Sequence, residues 1–272
     1  MSGITAEAVA EWRATIGRQE RRSEQLEVES LRRYALAVDA NPGVEGSPPP
    51  LGHWAFFLPS PRDAEIGEDG HPRRGGLLPA VTLPRRMFAA AQIEFAAPLE
   101  LGAAGVLTST VLDVAHKPGR SGDLVFVEVE RVLVQADVTR VRERQTFVYR
   151  EAGAPTPLPE RRPDAETGEV WRPDEVNLFR FSAATFNGHR IHYDAPYARE
   201  VEGYPALVVH GPFTAAKLAA HASRRGVLSS FAFRAQAPLF LGQPVRLEAD
   251  DTEVRAVRCD GAVAMSAKVT YA

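Results

Sequence analysis

The segment Ala97–Gly102 recurs 140 positions later as Ala237–Gly242, and this repeat constrains the fold more than any other feature of the sequence. Both copies read Ala-Pro-Leu-x-Leu-Gly, and both are followed by strand-like runs. A repeat at a fixed offset is typical of a duplicated structural unit. The 272 residues are enough for two domains of ordinary size. We therefore predict a duplicated chain whose halves share one order of elements.

The spacing of apolar residues predicts helical segments followed by strands in each half. Residues 6–38 have helix-like spacing with a break near Gly17, and residues 60–84 have the composition of a long surface loop. Strands are predicted at 92–95, 106–114, 124–135 and 141–149, and again at 231–233, 244–249, 254–258 and 262–270. Five prolines and few apolar residues make 151–175 a linker between a first module, 1–150, and a second, 176–272.

Composition excludes several classes of protein. The 32 basic and 35 acidic side chains give a net charge of −3, so the chain as a whole does not attract nucleic acid or anionic membranes. The single cysteine, Cys259, rules out an internal disulfide and a cysteine-cluster metal site, and it favours a reducing compartment. Because no signal peptide or membrane-length apolar stretch is visible, a cytoplasmic location is predicted.

Residues 181–194 form the densest polar cluster of the chain. Asn187 lies five residues before His192 in this cluster, and His189 and Arg190 lie between them. Further on, Pro212 suits the first turn of a helix, where its missing N–H is not needed. The backbone N–H of Gly211 would then be free at the positive end of that helix.

This cluster, together with residues 202–205 and 207–212, resembles the MaoC-like family of type 2 hydratases and dehydratases. The typical motif of that family, Ser-Gly-Asp-x-Asn-Pro-Leu-His, places an aspartate five residues before a histidine, where this chain has Asn187 and His192. The asparagine variant resembles the subgroup of mesaconyl-CoA hydratases and 3-hydroxyacyl-thioester dehydratases type 2.

The resemblance implies an α+β double hotdog, in which each module is an antiparallel sheet wrapped round a long helix. It implies a catalytic second module and a degenerate first one, whose counterpart motif keeps Asp39 but has Val44 in place of the histidine. The implied activity is reversible hydration of an enoyl thioester, or dehydration of a 3-hydroxyacyl thioester, without a cofactor. A short or carboxylated acyl-CoA such as mesaconyl-CoA fits the subgroup, an acyl-carrier-protein thioester stays open, and a homodimer is compatible.

The chemistry of hydration assigns a role to each motif residue. His192 titrates near neutrality and can take a proton from water and return it. Asn187 can hold that water without titrating, although unlike the usual aspartate it cannot share proton transfer, so help from Asp194 is considered. The Gly211 N–H can stabilise the enolate-like oxygen of the thioester. His210 is predicted to be structural.

Basic residues are needed for the phosphates of coenzyme A and for a carboxylate on the acyl group. Lys117 and Arg120 flank a predicted turn and are candidates for the phosphates, and Arg190 is a candidate for the carboxylate. His189, His192 and Asp194 have the side chains of metal ligands, yet no third histidine lies nearby in sequence, so no metal site is predicted.

Two rival functions stay open. Hotdog thioesterases generally carry a carboxylate on the central helix, whereas residues 212–222 contain no aspartate or glutamate. A non-catalytic acyl-CoA-binding protein is the other rival, because Asn187 departs from the usual aspartate.

Overall fold

The computed structural model describes residues 4–119 and 122–272. Its four α-helices are α1 (Ala6–Arg13), α2 (Val28–Ala37), α3 (Glu175–Ala184) and α4 (Gly211–Ser223). Its strands are β1 (Gln19–Gln25), β2 (Arg85–Phe95), β3 (Ala104–Gly119), β4 (Gly122–Gln135), β5 (Val138–Arg150), β6 (Glu169–Trp171), β7 (Leu228–Ala235), β8 (Val245–Ala249), β9 (Glu253–Val257) and β10 (Val263–Tyr271). Among these described residues, no helix is long and apolar enough to span a membrane.

All ten strands form one sheet in the order β1-β3-β4-β5-β2-β7-β10-β9-β8-β6, with antiparallel neighbours. The two halves of the chain meet where residues 90–94 of β2 pair with residues 230–234 of β7. The sheet is therefore continuous across the two halves, and the architecture agrees with an α+β double hotdog. Within the predicted linker, residues 169–171 form β6 and pair with β8; the division into domains stays a prediction.

Backbone geometry repeats in the two copies of the Ala-Pro-Leu-x-Leu-Gly segment. Gly102 and Gly242 have φ angles of 75° and 74°, in the left-handed region that glycine tolerates best. The N–H of Gly102 donates to the carbonyl of Leu26 at 2.8 Å, and that of Gly242 donates to the carbonyl of Pro173 at 2.9 Å. Equivalent conformations with equivalent partners confirm the duplication predicted from the sequence.

The two modules differ in their central helices. In the second module α4 packs against β2, β7, β8, β9 and β10, and most of its side chains are buried. The described residues between Ala37 and Arg85 contain no α-helix; a short 3₁₀ turn, Gly52–Ala55, and the neighbouring aromatic side chains lie in the core instead. Prolines at 48–50 and at 59 and 61 confine this segment, so a long helix cannot form there.

The helical prediction for residues 6–38 is wrong at its centre, where residues 19–25 form β1. Glu20, Arg22 and Glu24 are half-buried, and the side chains between them are exposed. This alternation has the period of a strand and places charged side chains on an edge strand, where they protect the edge from further pairing. Because these residues are charged or polar, the spacing of apolar residues did not indicate the strand, which pairs along its whole length with β3.

Candidate active site

A tight turn after α3 positions Asn187. Asp174 caps the start of α3 by accepting the N–H of Asn177 at 2.7 Å. At the other end, Phe186 adopts a left-handed conformation with φ of 49°, and the Asn187 N–H donates to the carbonyl of Ser182 at 2.8 Å. The loop that begins here carries the predicted catalytic residues.

The side chain of Asn187 is oriented by its own loop. Its Oδ1 accepts the backbone N–H of His189 at 3.0 Å. Because a backbone N–H can only donate, this bond identifies the amide oxygen and leaves the NH₂ group of Asn187 as the free donor. Asn187 also lines the large cavity of the molecule. Its amide can therefore donate a hydrogen bond to the oxygen of a water molecule or substrate held there.

His192 is buried, with its ring held by one backbone carbonyl. Its Nδ1 lies 2.7 Å from the carbonyl oxygen of Val208. Since a carbonyl only accepts, Nδ1 carries the proton and the neutral ring keeps its lone pair on Nε2. His192 lines the same cavity as Asn187. The ring is therefore in the tautomer that a general base requires.

His210 packs directly behind His192. The two rings stack with centroids 3.6 Å apart, and Nε2 of His210 hydrogen-bonds to Oγ of Ser182 at 2.8 Å. Burial lowers the pKa of His210 to about 3. Burial first, and then the neighbouring imidazoles, also hold the pKa of His192 well below its ordinary value of 6.5. Both rings are therefore neutral near pH 7.

A turn from the first module adds residues that sequence reasoning missed. His71 Nδ1 lies 3.1 Å from Oδ2 of Asp69, and the His71 and His189 rings are 4.0 Å apart at their centroids. Burial lowers the pKa of His71 to about 3, whereas the His71 hydrogen bonds hold the pKa of Asp69 below its usual range despite burial. The carbonyl of Asp69 accepts the Arg190 N–H at 2.9 Å, which docks this turn on the catalytic loop.

Asp69, His71 and His189 also bring the side chains of metal ligands together. One ligand atom from each lies within 4.8 Å of the others. The Asp69–His71 hydrogen bond and the close packing of the two rings show these groups already engaged with one another. This cluster differs from the sequence grouping of His189, His192 and Asp194.

Asp194 and Arg190 pair with each other, which contradicts the roles considered for them. Arg190 forms an ion pair with Asp194 at 2.7 Å and lies over the Tyr197 ring, and Asp194 accepts the Tyr197 N–H at 3.0 Å. Neither residue lines the cavity. The i,i+4 spacing explains the pair, because such residues are neighbours along one turn of chain. Asp194 is thus held away from His192, and Arg190 has its own counter-ion.

The start of α4 presents Gly211 to the cavity. His210 is the N-cap, Gly211 is the first helical residue, and Pro212 follows it, as predicted. Within the described part of the chain the Gly211 N–H donates no hydrogen bond. This donor lies at the positive end of the helix dipole. It suits the partial negative charge of a thioester oxygen.

One cavity of about 1130 Å³ brings Asn187, His192 and Gly211 together between the two modules. Lys117 is not part of its wall; the ammonium lies 4.8 Å from the centre of the Phe126 ring. Arg120 lies outside the described residues. Arginines of the first module line the cavity instead, among them Arg73, Arg74 and Arg86. Local sequence does not identify this wall, because it is assembled from distant segments.

The first module has lost more of the motif than the sequence indicated. Asp39 has the left-handed φ, 60°, that Phe186 has in the second module, and the Ala40 N–H donates to the carbonyl five residues before it, as Asn187 does. Ala40 is therefore the counterpart of Asn187, where the sequence alignment had placed Asp39. Five residues further on, exposed Glu45 takes the place of His192. This half holds neither the amide nor the imidazole.

Comparison with known proteins agrees with this geometry. The family model for hydroxyacyl-thioester dehydratase type 2 matches residues 51–241. A mesaconyl-C(4)-CoA hydratase of Chloroflexus aurantiacus is 44% identical over 279 residues, which covers 96% of this chain and 98% of the relative.

Solved structures share the fold at much lower identity. HtdX of Mycobacterium tuberculosis superposes with a TM-score of 0.65 at 16% identity, covering 93% of this chain and 99% of HtdX. A conserved M. tuberculosis protein with a double hotdog fold has a TM-score of 0.52 at 13% identity, covering 93% of this chain and 95% of that protein. The double hotdog predicted from the sequence is confirmed.

Proposed function

Since the chain belongs to the family of type 2 hydroxyacyl-thioester dehydratases, we propose that it adds water reversibly to a short, carboxylated enoyl-CoA of the mesaconyl-C(4)-CoA type. The chain is a hydratase or dehydratase of acyl-CoA thioesters. In mesaconyl-C(4)-CoA the free carboxylate and a methyl group are bonded to the β-carbon, which is the carbon that water attacks. The hydratase relative, similar over nearly the full length, supports this acyl group.

In the proposed mechanism one imidazole moves one proton. Nε2 of His192 takes a proton from water while the water oxygen bonds to the β-carbon, and the electron pair of the double bond moves toward the thioester oxygen. The imidazolium then gives that proton to the α-carbon, the carbonyl re-forms, and His192 is neutral again. The Gly211 N–H stabilises the intermediate oxyanion, and the Asn187 amide orients the water.

The observation that carries this proposal is the hydrogen bond from His192 Nδ1 to Val208, which frees Nε2 toward a cavity that Asn187 and Gly211 also line. Thioester hydrolysis is disfavoured because α4 offers no carboxylate along its length. These residues supply the proton transfer and the charge stabilisation, so we propose that no cofactor takes part.

The test is to mix the protein with mesaconyl-C(4)-CoA and to follow both enoyl-thioester absorbance and free thiol. Loss of the enoyl absorbance without thiol release supports hydration. Thiol release would support a thioesterase instead, and binding without either change would support a non-catalytic acyl-CoA-binding protein.

We also propose a cellular location, an oligomeric state and coenzyme A contacts for the enzyme. A cytoplasmic location is supported by Cys259, the single thiol, which is buried and unpaired. A homodimer is part of the same proposal, and light scattering of the purified protein measures the mass that tests it. Lys117 and Arg120 remain proposed contacts for coenzyme A phosphates.

A further inference from the structure

The wall of the active-site cavity is strongly basic. Among the described residues that line it, six are arginines and one is acidic: Arg22, Arg73, Arg74, Arg86, Arg131 and Arg150, with Glu20. The whole chain has a net charge of −3, so this positive charge is a local feature. Such a cavity attracts anions. A carboxylated acyl-CoA brings one anionic group at the acyl end in addition to its phosphates.

Three of the six arginines already have protein partners. Arg22 pairs with Glu20 at 2.9 Å, Arg131 lies 4.0 Å from Glu143, and Arg74 donates to main-chain carbonyls within residues 81–84. These interactions use the charge or the N–H groups that a substrate anion would need. Three arginines therefore remain as candidates.

The strand register separates the remaining three. Arg73 is exposed. Arg86 pairs with Tyr149 across β2 and β5, so these two side chains share one face of the sheet. Arg150 follows Tyr149 directly, so its side chain leaves the strand on the opposite face of the sheet. Arg86 is therefore the candidate that shares a sheet face with the aromatic wall of the cavity, where Phe88 stacks on Phe147.

The position of β2 places Arg86 close to the thioester site. The carbonyl oxygen of Phe88 lies 3.6 Å from the position that a Cβ on Gly211 would occupy. Arg86 is two residues from Phe88, which in a strand is about 7 Å. An arginine side chain reaches a similar distance. Its guanidinium can therefore approach the acyl group of a thioester bound at Gly211.

Contacts of the neighbouring residue hold this part of β2 in place. The preceding residue, Arg85, pairs with Glu202 at 3.3 Å, and the other oxygen of Glu202 lies 3.9 Å from Nε2 of His189. The His189 ring in turn meets the His192 ring edge-on at 5.3 Å. Arg86 therefore lies on a segment held between the histidine cluster and the start of α4.

Arg86 has no carboxylate partner among the described residues, although its guanidinium lies close enough to the Tyr149 hydroxyl to oppose the rise in pKa that burial gives that group. Within residues 4–119 and 122–272, no aspartate or glutamate oxygen lies within 4.0 Å of its guanidinium. The positive charge of Arg86 also contributes, after burial, to the lowered pKa of His71, which agrees with its position beside the histidines. A guanidinium without a carboxylate partner in an active-site wall is suited to bidentate binding of a carboxylate.

We propose that Arg86 binds the free carboxylate of the acyl group and thereby selects carboxylated enoyl-CoA substrates, an inference that rests on the proposed function. The carboxylate is bonded to the β-carbon, so this contact orients that carbon toward the water held by Asn187. Arg86 takes the role that the sequence had assigned to Arg190.

The test compares two substrates that differ only in this group. In 3-methylcrotonyl-CoA a methyl replaces the carboxylate of mesaconyl-C(4)-CoA, and the thioester and coenzyme A are the same. For Arg86→Gln we expect kcat/KM to fall about 10²-fold with mesaconyl-C(4)-CoA, as for loss of a hydrogen-bonded charge, and to change little with 3-methylcrotonyl-CoA. Arg86→Lys should recover part of the loss, because it restores the charge without the planar fork.

Arg73→Gln is the matched control, since it removes an exposed cavity arginine of the same charge; we expect the ratio of the two kcat/KM values to stay at the wild-type level. An equal fall with both substrates for Arg86→Gln would overturn the inference, because Arg86 would then serve the coenzyme A portion or the fold. Wild-type hydration of 3-methylcrotonyl-CoA without any hydration of mesaconyl-C(4)-CoA would instead overturn the proposed acyl group, and the inference with it.

Discussion

At the scale of single residues, the groups around His192 decide the tautomer and the charge of its imidazole. The Val208 carbonyl holds the proton on Nδ1, and burial beside His210 keeps the ring neutral. A neutral imidazole with a free Nε2 can accept a proton at any pH above its lowered pKa. The surrounding groups therefore select both the tautomer and the charge.

Replacing His192 by alanine tests the proton carrier. For His192→Ala we expect the hydration rate to fall about 10²–10⁴-fold, the usual contribution of a general base, with little change in acyl-CoA affinity measured by calorimetry. His116→Ala is the control, because His116 does not line the cavity. Its Nε2 pairs with Oδ1 of Asp123 at 2.8 Å. A folded His192→Ala enzyme that keeps more than about a tenth of the rate would exclude this role.

Asn187 allows a test by pH. Asn187→Ala should lower the rate strongly, because the water loses its orientation. Asn187→Asp should remain active, since the new carboxylate can accept the same His189 N–H. Its negative charge would favour the imidazolium form and raise the pKa of His192, so the acidic limb of the rate–pH profile should move to higher pH.

Rate–pH profiles of the wild type and of Asn187→Asp measure this shift directly. Identical profiles would mean that residue 187 does not interact with His192. An Asn187→Ala enzyme as fast as the wild type would remove Asn187 from the mechanism.

The local motif, through its resemblance to the family, pointed to Asn187, His192 and Gly211; all three line one cavity, and their catalytic roles stay predictions. The motif could not predict Asp69, His71 or Arg86. Asp69 and His71 reach the site on a turn of the first module and Arg86 on strand β2, and no local sequence pattern distinguishes them from ordinary surface charges. Long-range pairing therefore decides which charged residues become part of the site.

At the scale of elements, the turn at residues 66–72 is pressed against the catalytic loop. Gly70 has a φ of 85°, and a Cβ at this position would lie 1.8 Å from the carbonyl oxygen of Gly188. Backbone meets backbone here, so neither side can yield by changing a rotamer. The turn that carries Asp69 and His71 therefore sets the position of the loop that carries Asn187.

We expect Gly70→Ala to displace one of these two loops and to lower kcat more than about tenfold, because a small misplacement of reacting groups is costly. Gly17→Ala is the matched control, since Gly17 has the same φ of 85° but no heavy atom within 4 Å of the added Cβ. It should cost about 1 kcal/mol of stability from backbone strain and leave kcat unchanged.

Steady-state kinetics and thermal melting of both variants separate the effect of backbone strain at a positive φ from the effect of the steric clash with Gly188. Equal kcat for Gly70→Ala and wild type would show that the turn is not needed to position the catalytic loop. Strand β1 shows a related point about elements: its sequence has no apolar residue to indicate a period, and pairing with β3 decides its conformation.

At the scale of the whole molecule, the buried histidines couple stability to pH. The pKa of His71 and of His210 is lowered to about 3, and that of His192 lies well below 6.5, whereas unfolding returns each to its ordinary value. Below pH 6.5 the unfolded chain therefore binds protons that the folded chain does not. The stability contributed by these neutral histidines should be fully present above this pH and be lost as the pH decreases toward 3.

Each such histidine contributes up to about 1.4 kcal/mol of lost stability per pH unit within this window. Urea unfolding at a series of pH values from 7.5 to about 4 measures the slope. His71→Asn should make the slope shallower, because one of the three groups no longer titrates on unfolding. A free energy of unfolding that stays level from pH 7 to pH 5 would contradict the burial of neutral imidazoles.

The pairing of β2 with β7 places both halves of the sheet in a single polypeptide, and this has an evolutionary consequence. In a symmetric dimer every substitution occurs in both subunits, so a loop cannot change on one side of a site without also changing on the other. Covalent duplication removes that coupling. The segment between α2 and β2 can therefore lack an α-helix and contribute Arg73 and Arg74 to the cavity wall, while the second half carries the proposed proton-transfer residues. The substrate contacts proposed for the first half and the proton transfer proposed for the second are thus encoded in separate stretches of one gene, so a substitution in one stretch need not be repeated in the other.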